Sequence, residues 1–556
     1  MLPPPAPLGA PRAHLGAGTR RIRHPHNLRR ADTVLAGGSV TGVALAAAAS
    51  IHPVRYARGA LGMTPREQAR DAPNRAAAGP RLVWPAVIAV AAALVRLPFI
   101  TRPLTPDEGG YMLVASQWSP GNSLYGAYFV DRPPLLIAIY GLANHLGSAT
   151  GLRIIGLVAV VLAVALSARL AGTTGAVVCA ALLSTPLFDG MEIDGELLAV
   201  PFVLGAFVLL LRSVRANTDV DRHAVPFFAG VLTAAAVLVK QNMIDGIVVA
   251  VILLAGLALR RRWWDAVVRA VAFTAGAASA AVLVLVLADL RGTKPLALWD
   301  ALVTFRAQAA SVISNSAAST NADRFHTMML AGLVAGIPMV LAAALLTLRR
   351  PLREPLLLSA AIATLVWEIA GALLGGSYWQ HYLIAVVPGV VLLTAASDGG
   401  RWLRLAAGYA AACAALALVF AVQHPLQMSS DTRVATYIRA ESRPGDTMVV
   451  ELGHPNIVLA AGLQSPYEHL WSLTARVRDP QLADLTRLLT SPDAPRWVVV
   501  SGGSLATWGI DATHAQVVFD NRYREVTAAG DWHVFERTVF PSGNTGDGTV
   551  GAGPAK

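Results

Sequence analysis

The chain has little charge and almost no cysteine, and each shortage excludes a class of protein. Only 14% of its 556 residues are charged, whereas soluble domains average about 25%. Because 54% of the residues are hydrophobic and the mean hydropathy is +0.52, we interpret the chain as an integral membrane protein. Cys179 and Cys413, which both lie in apolar runs, are too few for a disulfide framework or a cysteine-based zinc site.

Negative charge is the scarcer sign. The chain has 45 Lys and Arg residues against 34 Asp and Glu residues, a formal net charge of +11. In a soluble protein this excess would suggest a nucleic-acid partner. Here the arginines cluster between apolar segments, so the pattern predicts contact with lipid headgroups and no nucleic acid.

Apolar runs of spanning length recur through the chain. A spanning helix needs roughly 20 mostly apolar residues, and this criterion predicts about eleven spans. They cover residues 83–100, 154–171, 174–188, 196–211, 225–240, 244–259, 265–288, 327–347, 355–374, 382–396 and 404–422.

Basic residues mark the links that follow the even-numbered spans. Arg169 lies at the end of the second span beside the first of these links, Arg212 and Arg215 lie in the second link, and Arg260 and Arg261 lie in the third. By the positive-inside rule these links are cytoplasmic. The sequence therefore predicts that the other links and the carboxyl-terminal tail are extracytoplasmic.

Composition divides the chain into four regions. Residues 1–81 are rich in Pro, Ala, Gly and Arg, which predicts a disordered basic region. Its apolar run 34–51 could be a weak extra span, a signal-like segment or sequence upstream of a true start at Met63, and we favour the last. Residues 82–424 form the predicted transmembrane domain, with a first outer loop at 101–153, and residues 541–556 form a predicted disordered tail.

Residues 425–540 are predicted to form an extracytoplasmic α/β domain. The runs 448–452, 497–501, 516–519 and 532–536 are typical of strands, and 482–489 of a helix. His454, His514 and His533 lie here without metal-ligand spacing, so we interpret them as surface or packing residues.

Costly polar residues gather at the predicted outer ends of the spans. Carboxylates beside a bilayer are expected only where they pair, bind a metal or take part in chemistry. The residues in question are Asp107, Glu108, Asp131 and Arg132 in the first outer loop, Glu192, Asp194 and Glu196 in the second, and Lys240, Gln241 and His381 at later span ends. Their joint placement predicts a single outward-facing polar site.

Simpler structural explanations exist for each group. Asp107 and Glu108 could cap a helix that begins near Gly109, since acids favour helix N-termini. Asp131 and Arg132 could form a local ion pair. In the same way Asp194 and Glu196 could cap the fourth span, Lys240 could extend to the headgroups, and Glu192, Tyr378 and Trp379 could be surface or membrane-interface residues. Glu368 lies inside a predicted span, where we expect it to have a partner.

Several motifs together resemble a known superfamily. These are Pro106-Asp107-Glu108 with Tyr111, Asp131-Arg132-Pro133-Pro134-Leu135, the second acidic loop, and His381-Tyr382-Leu383-Ile384 followed by Pro388. Over about residues 82–425 the chain resembles the glycosyltransferase C superfamily. The bacterial branch of protein O-mannosyltransferase and aminoarabinose transferase-like proteins (glycosyltransferase family 39) is the most similar.

The resemblance implies a division of labour among these residues. Such enzymes move a sugar from a polyprenyl-phosphate carrier to an acceptor outside the cytoplasmic membrane, here expected to be a bacterial plasma membrane. Asp107 would be the base, with Glu108 positioning the acceptor or a cation, and Asp131 would help to bind a divalent metal. Arg132, where relatives often carry Lys, would hold the lipid phosphate together with Lys240. The remaining substrate contacts would be Tyr111, Asp194, Glu196, Gln241 and His381.

Two other functions remain open at the level of sequence. A polytopic transporter or flippase for a lipid-linked envelope precursor would also have many spans and buried acids. Transporters, however, place such groups near the bilayer midplane within internal repeats, and this chain has no repeated half. A non-catalytic assembly protein would tolerate the replacement of Asp107 and Arg132.

Overall fold

The computed structural model describes residues 79–215, 218–314, 318–348, 354–424, 429–451, 453–506 and 510–538. Helices dominate up to residue 423. The apolar helices of at least ten residues are Gly79–Leu94, Ala149–Ser184, Gly195–Arg215, Ala224–Val239, Asp245–Leu259, Trp263–Leu290, Ala318–Val334, Ile337–Leu346, Pro355–Leu374, Val387–Ala396 and Arg401–Gln423. The predictions of disorder and of a start at Met63 lie outside the described residues, as does the predicted tail 541–556.

The polytopic helical fold that the sequence predicts is confirmed, but the count of about eleven spans is not. Within the described ranges, seven helices are long and apolar enough to cross a membrane, or eight if the pair bent by 49° after Val334 is one span. The predicted spans 154–171 and 174–188 are two arms of Ala149–Ser184, which is interrupted at Gly172 with φ 65°. Pro295–Ser314 also meets the criterion and was not predicted as a span.

Local capping positions the first loop. Helix Pro106–Ser116 begins after Thr105, whose hydroxyl accepts from the Glu108 amide while the Glu108 carboxylate accepts from the Thr105 amide. This capping box satisfies donors that a helix start otherwise leaves unpaired. A second helix, Pro134–His145, begins at a proline that suits its first position. Asp107 therefore lies on the first turn of a fixed helix.

A small sheet follows the helical bundle. Its strands are β1 (Met448–Val450), β2 (Trp497–Ser501), β3 (Tyr523–Ala529) and β4 (Trp532–Arg537). They lie in the order β1-β2-β4-β3, with β1 and β2 parallel and the other pairs antiparallel. The helices around the sheet are Ser430–Glu441, Pro455–Ala461, Ser472–Arg478, Ala483–Thr490 and Thr513–Arg522. The predicted α/β class of this part is confirmed.

One predicted strand is wrong. Residues 516–519 belong to helix Thr513–Arg522, and the following residues 523–529 form the unpredicted β3. The run Val517-Val518-Phe519 is apolar enough to suggest a strand, yet Phe519 is buried whereas Val517 is 59% exposed. The helix needs only one side of this run for the core, which a short apolar pattern cannot reveal.

Two adjacent glycines let the α/β part approach the first loop closely. A Cβ built on Gly109 would lie 2.5 Å from the Asn456 Cα, and one on Gly110 would lie 2.3 Å from Trp471 Cζ2. Both distances are shorter than real Cβ contacts. Helix Pro455–Ala461 and the Trp471 indole can therefore pack against helix Pro106–Ser116 only because these two positions lack side chains.

Candidate active site

A cavity of about 1250 Å³ lies between the helical bundle and the α/β part. Eight of the predicted site residues line it: Asp107, Glu108, Tyr111, Asp131, Arg132, Asp194, Lys240 and His381. The α/β part contributes Glu451, His454, Trp471, Ser472, Thr474, Arg476, Ser501 and Trp532 to the lining. The cavity volume exceeds that of most small-molecule sites, which enclose about 300–1,000 Å³.

Two aromatic side chains hold the Asp107 carboxylate. The Tyr111 hydroxyl donates to Oδ2 over 3.2 Å, and the Trp471 indole Nε1 donates to Oδ1 over 2.8 Å. The two rings also pack together, with centroids 5.5 Å apart. Each carboxylate oxygen thus has one fixed donor and retains a lone pair, since an ionised carboxylate accepts about four hydrogen bonds.

The Tyr111 hydroxyl connects the carboxylate to a guanidinium. Arg132 Nε donates to this hydroxyl over 2.9 Å, and the guanidinium carbon lies 5.8 Å from the Tyr111 ring centroid. Burial is the main reason why the pKa of Tyr111 is raised well above its usual value. The phenol therefore stays protonated and can donate to Asp107 while it accepts from Arg132.

The Glu108 carboxylate is fully occupied by the protein. It accepts from the Thr105 amide at 3.0 Å, from the Ile193 amide at 2.7 Å, and from both terminal nitrogens of Arg153, of which Nη2 lies at 2.8 Å. These four contacts use all the acceptor positions of a carboxylate. The capping interpretation describes this residue well, and its role in positioning an acceptor stays a prediction.

Asp131 lies between two arginines. Its Oδ1 is 2.8 Å from Arg132 Nη1, and its Oδ2 is 2.6 Å from Nε of Arg306, which belongs to the unpredicted helix Pro295–Ser314. The local ion pair considered from the sequence is therefore present. A divalent metal at Asp131 would have to displace at least one guanidinium, so the oxygens of this residue do not fit a metal well.

A second polar cluster lies at the start of helix Gly195–Arg215. Lys240 Nζ is 2.7 Å from Glu196 Oε1, and Asp194 Oδ1 accepts from the Leu197 amide over 2.7 Å, as a helix N-cap does. Ligand atoms of Asp194, Glu196 and His381 lie within 4.8 Å of one another. Gln241 is adjacent, and its side-chain nitrogen is 3.5 Å from the Asp131 carbonyl oxygen.

Two further acids, Asp189 and Glu192, line the cavity. Burial, with nearby Glu108 and Asp189 adding to it, raises the pKa of Glu192 to about 8. Burial also raises the pKa of Asp189, against the attraction of His381 and Arg102. Glu192, which we interpreted as a surface residue, is therefore a cavity residue that binds a proton readily near neutral pH.

Two other sequence interpretations have structural outcomes. Trp379 lines the cavity, with the Arg324 guanidinium carbon 4.1 Å from its ring centroid, while Tyr378 packs against Phe325. The sequence predicted a partner for Glu368 without identifying it. That partner is the backbone amide of Gly389, which donates to the two Glu368 oxygens at 2.8 and 3.1 Å.

Sequence reasoning missed three residues that support the site. Trp471 lies far from the loop in sequence, and only Gly109-Gly110 signalled that another segment approaches so closely. Arg153 is a lone charge at the start of an apolar helix, which signals a buried partner. Arg306 lies in a helix that the span criterion did not identify, and it carried no signal.

The fold is shared with a solved membrane protein. No protein-family model matches the chain, and no curated protein sequence matches it. The crystal structure of ArnT from Cupriavidus metallidurans bound to undecaprenyl phosphate is similar over 82% of this chain and 97% of that one, with a TM-score of 0.56 and 15% sequence identity. The apo form of the same protein matches with a TM-score of 0.40 and 15% identity over 81% of this chain and 97% of that one. The fold that the resemblance implies is thus confirmed.

Proposed function

We propose that this chain is a membrane glycosyltransferase that moves a hexosyl or pentosyl group from a polyprenyl-phosphate donor to an acceptor hydroxyl. One observation supports the proposal above the others. Asp107, Tyr111 and Arg132 form a hydrogen-bonded series on one wall of the cavity. A carboxylate suited to accept a proton is thereby fixed beside a cation suited to bind phosphate.

Asp107 acts as the general base. The acceptor oxygen attacks the anomeric carbon and gives its proton to Asp107, while the bond between that carbon and the phosphate oxygen breaks. Tyr111 and Trp471 hold the carboxylate in one orientation, so little reorganisation is needed when the proton arrives. A single displacement of this kind inverts the anomeric configuration.

Arg132 stabilises the departing polyprenyl phosphate. Its Nε and Nη1 atoms are engaged by Tyr111 and Asp131, and Nη2 has no hydrogen-bond partner within the described residues. A guanidinium held at two atoms keeps its remaining donor directed, which favours recognition of a phosphate oxygen. Lys240, which also lines the cavity, contributes a second positive charge, and no step requires a metal at Asp131.

The donor and the location follow from fold likeness and charge pattern. The similar ArnT structure contains undecaprenyl phosphate and matches 82% of this chain. Arginines between the other helix ends favour an extracytoplasmic position for the cavity, at a bacterial plasma membrane. The acceptor is a protein, lipid or envelope glycan that carries a free hydroxyl.

The test is transfer from a labelled polyprenyl-phosphate sugar to membrane acceptors by purified protein. Asp107→Asn keeps the shape but removes the base and leaves one accepting oxygen instead of two, so transfer should fall by about 10²–10⁴-fold. Arg132→Ala should also abolish most transfer. Asp289→Asn is a matched control, since Asp289 forms an exposed ion pair with Lys294 outside the cavity; it should keep wild-type transfer.

Two outcomes would reject the proposal. Near wild-type transfer by a well-folded Asp107→Asn protein would remove the base assignment. Translocation of the lipid-linked sugar across vesicles without any product would favour the transporter function instead.

A further inference from the structure

Asp194, Glu196 and His381 form a compact set of potential ligands. One oxygen from each carboxylate and one imidazole nitrogen lie within 4.8 Å of one another. The two acids lie at the start of helix Gly195–Arg215, and the histidine lies in the 3₁₀ turn Gln380–Val386. Segments that are far apart in the sequence therefore place three side chains of the kinds that bind divalent cations close together beside the cavity.

Each carboxylate of the set has one occupied and one unpaired oxygen. Asp194 Oδ1 accepts from the Leu197 amide and Glu196 Oε1 pairs with Lys240. Asp194 Oδ2 and Glu196 Oε2 are buried without a hydrogen-bond partner among the described residues. The two residues are only 9% and 1% exposed. Buried oxygens without partners are rare in native proteins and call for a ligand or an ordered solvent molecule.

The local charge points to a cation. Asp194 and Glu196 together carry two negative charges when ionised, and Lys240 supplies one positive charge. A buried site with an uncompensated negative charge is unstable, and a bound cation removes this cost.

We propose that Asp194, Glu196 and His381 bind a divalent transition cation of the Mn²⁺ or Zn²⁺ class. Two carboxylate oxygens favour Mn²⁺, and the imidazole makes Zn²⁺ equally suitable. Three protein ligands leave coordination positions open for water or a substrate oxygen. The site is separate from Asp131, whose oxygens face Arg132 and Arg306. A role of the cation in sugar transfer rests on the proposed function, whereas the binding itself does not.

Lys240 distinguishes this proposal from a purely structural cluster. If the Lys240 ammonium only neutralises the two acids of a structural cluster, Lys240→Met should leave Asp194 and Glu196 without specific affinity for a divalent cation. If the cluster is a cation site, the ammonium competes with the ion for Glu196, so Lys240→Met should bind the ion several-fold more tightly than wild type. The direction of this change is opposite to that of ligand removal.

The experiment titrates the full chain in detergent, after treatment with a chelator, with Mn²⁺ followed by electron paramagnetic resonance and with Zn²⁺ followed by equilibrium dialysis. We expect one saturable ion per chain. Asp194→Asn, Glu196→Gln and His381→Ala should each weaken binding by about tenfold or more. Asp194→Asn retains a side-chain oxygen for the helix cap, so its fold should be kept. If His381→Ala aggregates, His381→Gln replaces it.

Asp189→Asn is the matched control, because Asp189 lines the same cavity but lies outside the ligand set; its affinity should stay within about twofold of wild type. Asp107→Asn should bind the ion normally while losing transfer, which separates failure of this site from failure of the proposed function. The proposal is overturned if the wild type binds neither ion saturably, if the three ligand variants bind like wild type, or if Lys240→Met binds no ion.

Discussion

The Trp471 indole donates a 2.8 Å hydrogen bond to Asp107 across 364 residues of sequence. The candidate base is therefore completed by a side chain of the α/β part, and the helical bundle alone does not form the site. The same indole packs on Tyr111, which donates to the other oxygen of Asp107. The α/β part must therefore pack against the helical bundle for the Asp107 carboxylate to be held in this orientation.

Removal of the indole donor should slow transfer more than it weakens substrate binding. Trp471→Phe keeps an aromatic ring against Tyr111 but loses the hydrogen bond to the carboxylate. Hydrogen bonds to charged groups contribute about 1.5–3 kcal/mol, so kcat should fall about 10- to 100-fold with a small change in KM. Steady-state kinetics with varied donor and acceptor measure both constants.

Trp497→Phe is the matched control for this change. Trp497 also lies in the α/β part and donates through its indole to the Ser442 hydroxyl over 2.9 Å, and it is not among the residues that line the cavity. It should lower the stability of the α/β part and leave kcat within about twofold of wild type. An equal loss of kcat in both variants would contradict a specific role for Trp471.

The close approach at Gly109 and Gly110 leads to a prediction about how the α/β part packs against the helical bundle. A Cβ at Gly110 would lie 2.3 Å from Trp471 Cζ2 and 2.7 Å from Pro455 Cγ, so Gly110→Ala must displace the indole or the helix behind it. Overpacking of this kind costs about 1–3 kcal/mol, and loss of the Trp471 contact should reduce transfer as strongly as Trp471→Phe. Limited proteolysis should release the α/β part faster.

Gly408→Ala serves as its control. Gly408 lies in helix Arg401–Gln423, and a Cβ there meets no atom within 4 Å. The added methyl group should be neutral or stabilise the helix by about 0.5–1 kcal/mol. Unchanged proteolysis and transfer in both glycine variants would mean that the two parts do not need the close approach at Gly110.

Much of the fold could be predicted from local patterns, and the site only in part. Apolar runs of spanning length are a property of each segment by itself, so most helices followed directly from the sequence. The break at Gly172 and the short helix Asp245–Leu259 show why the number of spans did not. The bend or early end of a helix depends on the residues that pack against it, which its own sequence does not contain.

The candidate site required tertiary contacts that no local pattern contains. Charges at predicted outer ends correctly indicated Asp107, Arg132 and His381 as neighbours of one cavity. The different surroundings of Asp107 and Glu108 were not predictable, because no local pattern shows which of the two carboxylates meets Arg153. Two adjacent acids have the same sequence pattern whether they face a cavity or a buried arginine.

We expect loss of the Glu108–Arg153 pair to lower the stability of the fold more than it changes sugar transfer directly. The side chains of both residues are almost fully buried, with 2% and 6% exposed. Removal of one partner from a buried pair costs about 3–5 kcal/mol, because the other charge stays buried without compensation. Arg153→Met should therefore lower the thermal midpoint in detergent, and Glu108→Gln together with Arg153→Met should recover part of the loss.

An exposed pair provides the comparison. Arg487 and Asp484 form an ion pair with side chains 76% and 53% exposed. Arg487→Ala should change stability by no more than about 0.5 kcal/mol. If Arg153→Met unfolds no more easily than Arg487→Ala, the Glu108 carboxylate is free for a direct role in transfer.

The hydrogen bonds to Asp431 predict how the stability of the fold changes with pH. Burial acts to raise its pKa, but hydrogen bonds from His454, Asn456 and Trp532 lower the pKa to about 2. The unfolded value is about 3.9, so the carboxylate stabilises the fold by about 2 kcal/mol above pH 4 and loses this contribution as the pH falls toward 2. Asp431→Asn should thus be less stable than wild type at pH 7 and converge with it near pH 2. A constant difference over this range, measured by thermal unfolding, would contradict the assignment.

Exchange of Arg132 for lysine tests whether charge or geometry holds the lipid phosphate. Lysine keeps the positive charge, but its three donors lie on one nitrogen and lack the rigid fork by which Arg132 contacts Tyr111 through Nε and Asp131 through Nη1. If the fixed guanidinium orients a donor towards phosphate, Arg132→Lys should raise the donor KM and lower kcat by about tenfold, while Arg132→Ala loses much more. The two variants should also differ in salt dependence, since the lysine variant retains an attraction that added salt screens. Equal activity of Arg132→Lys and wild type would show that only the charge matters, and equal activity of Arg132→Ala would remove Arg132 from the phosphate site.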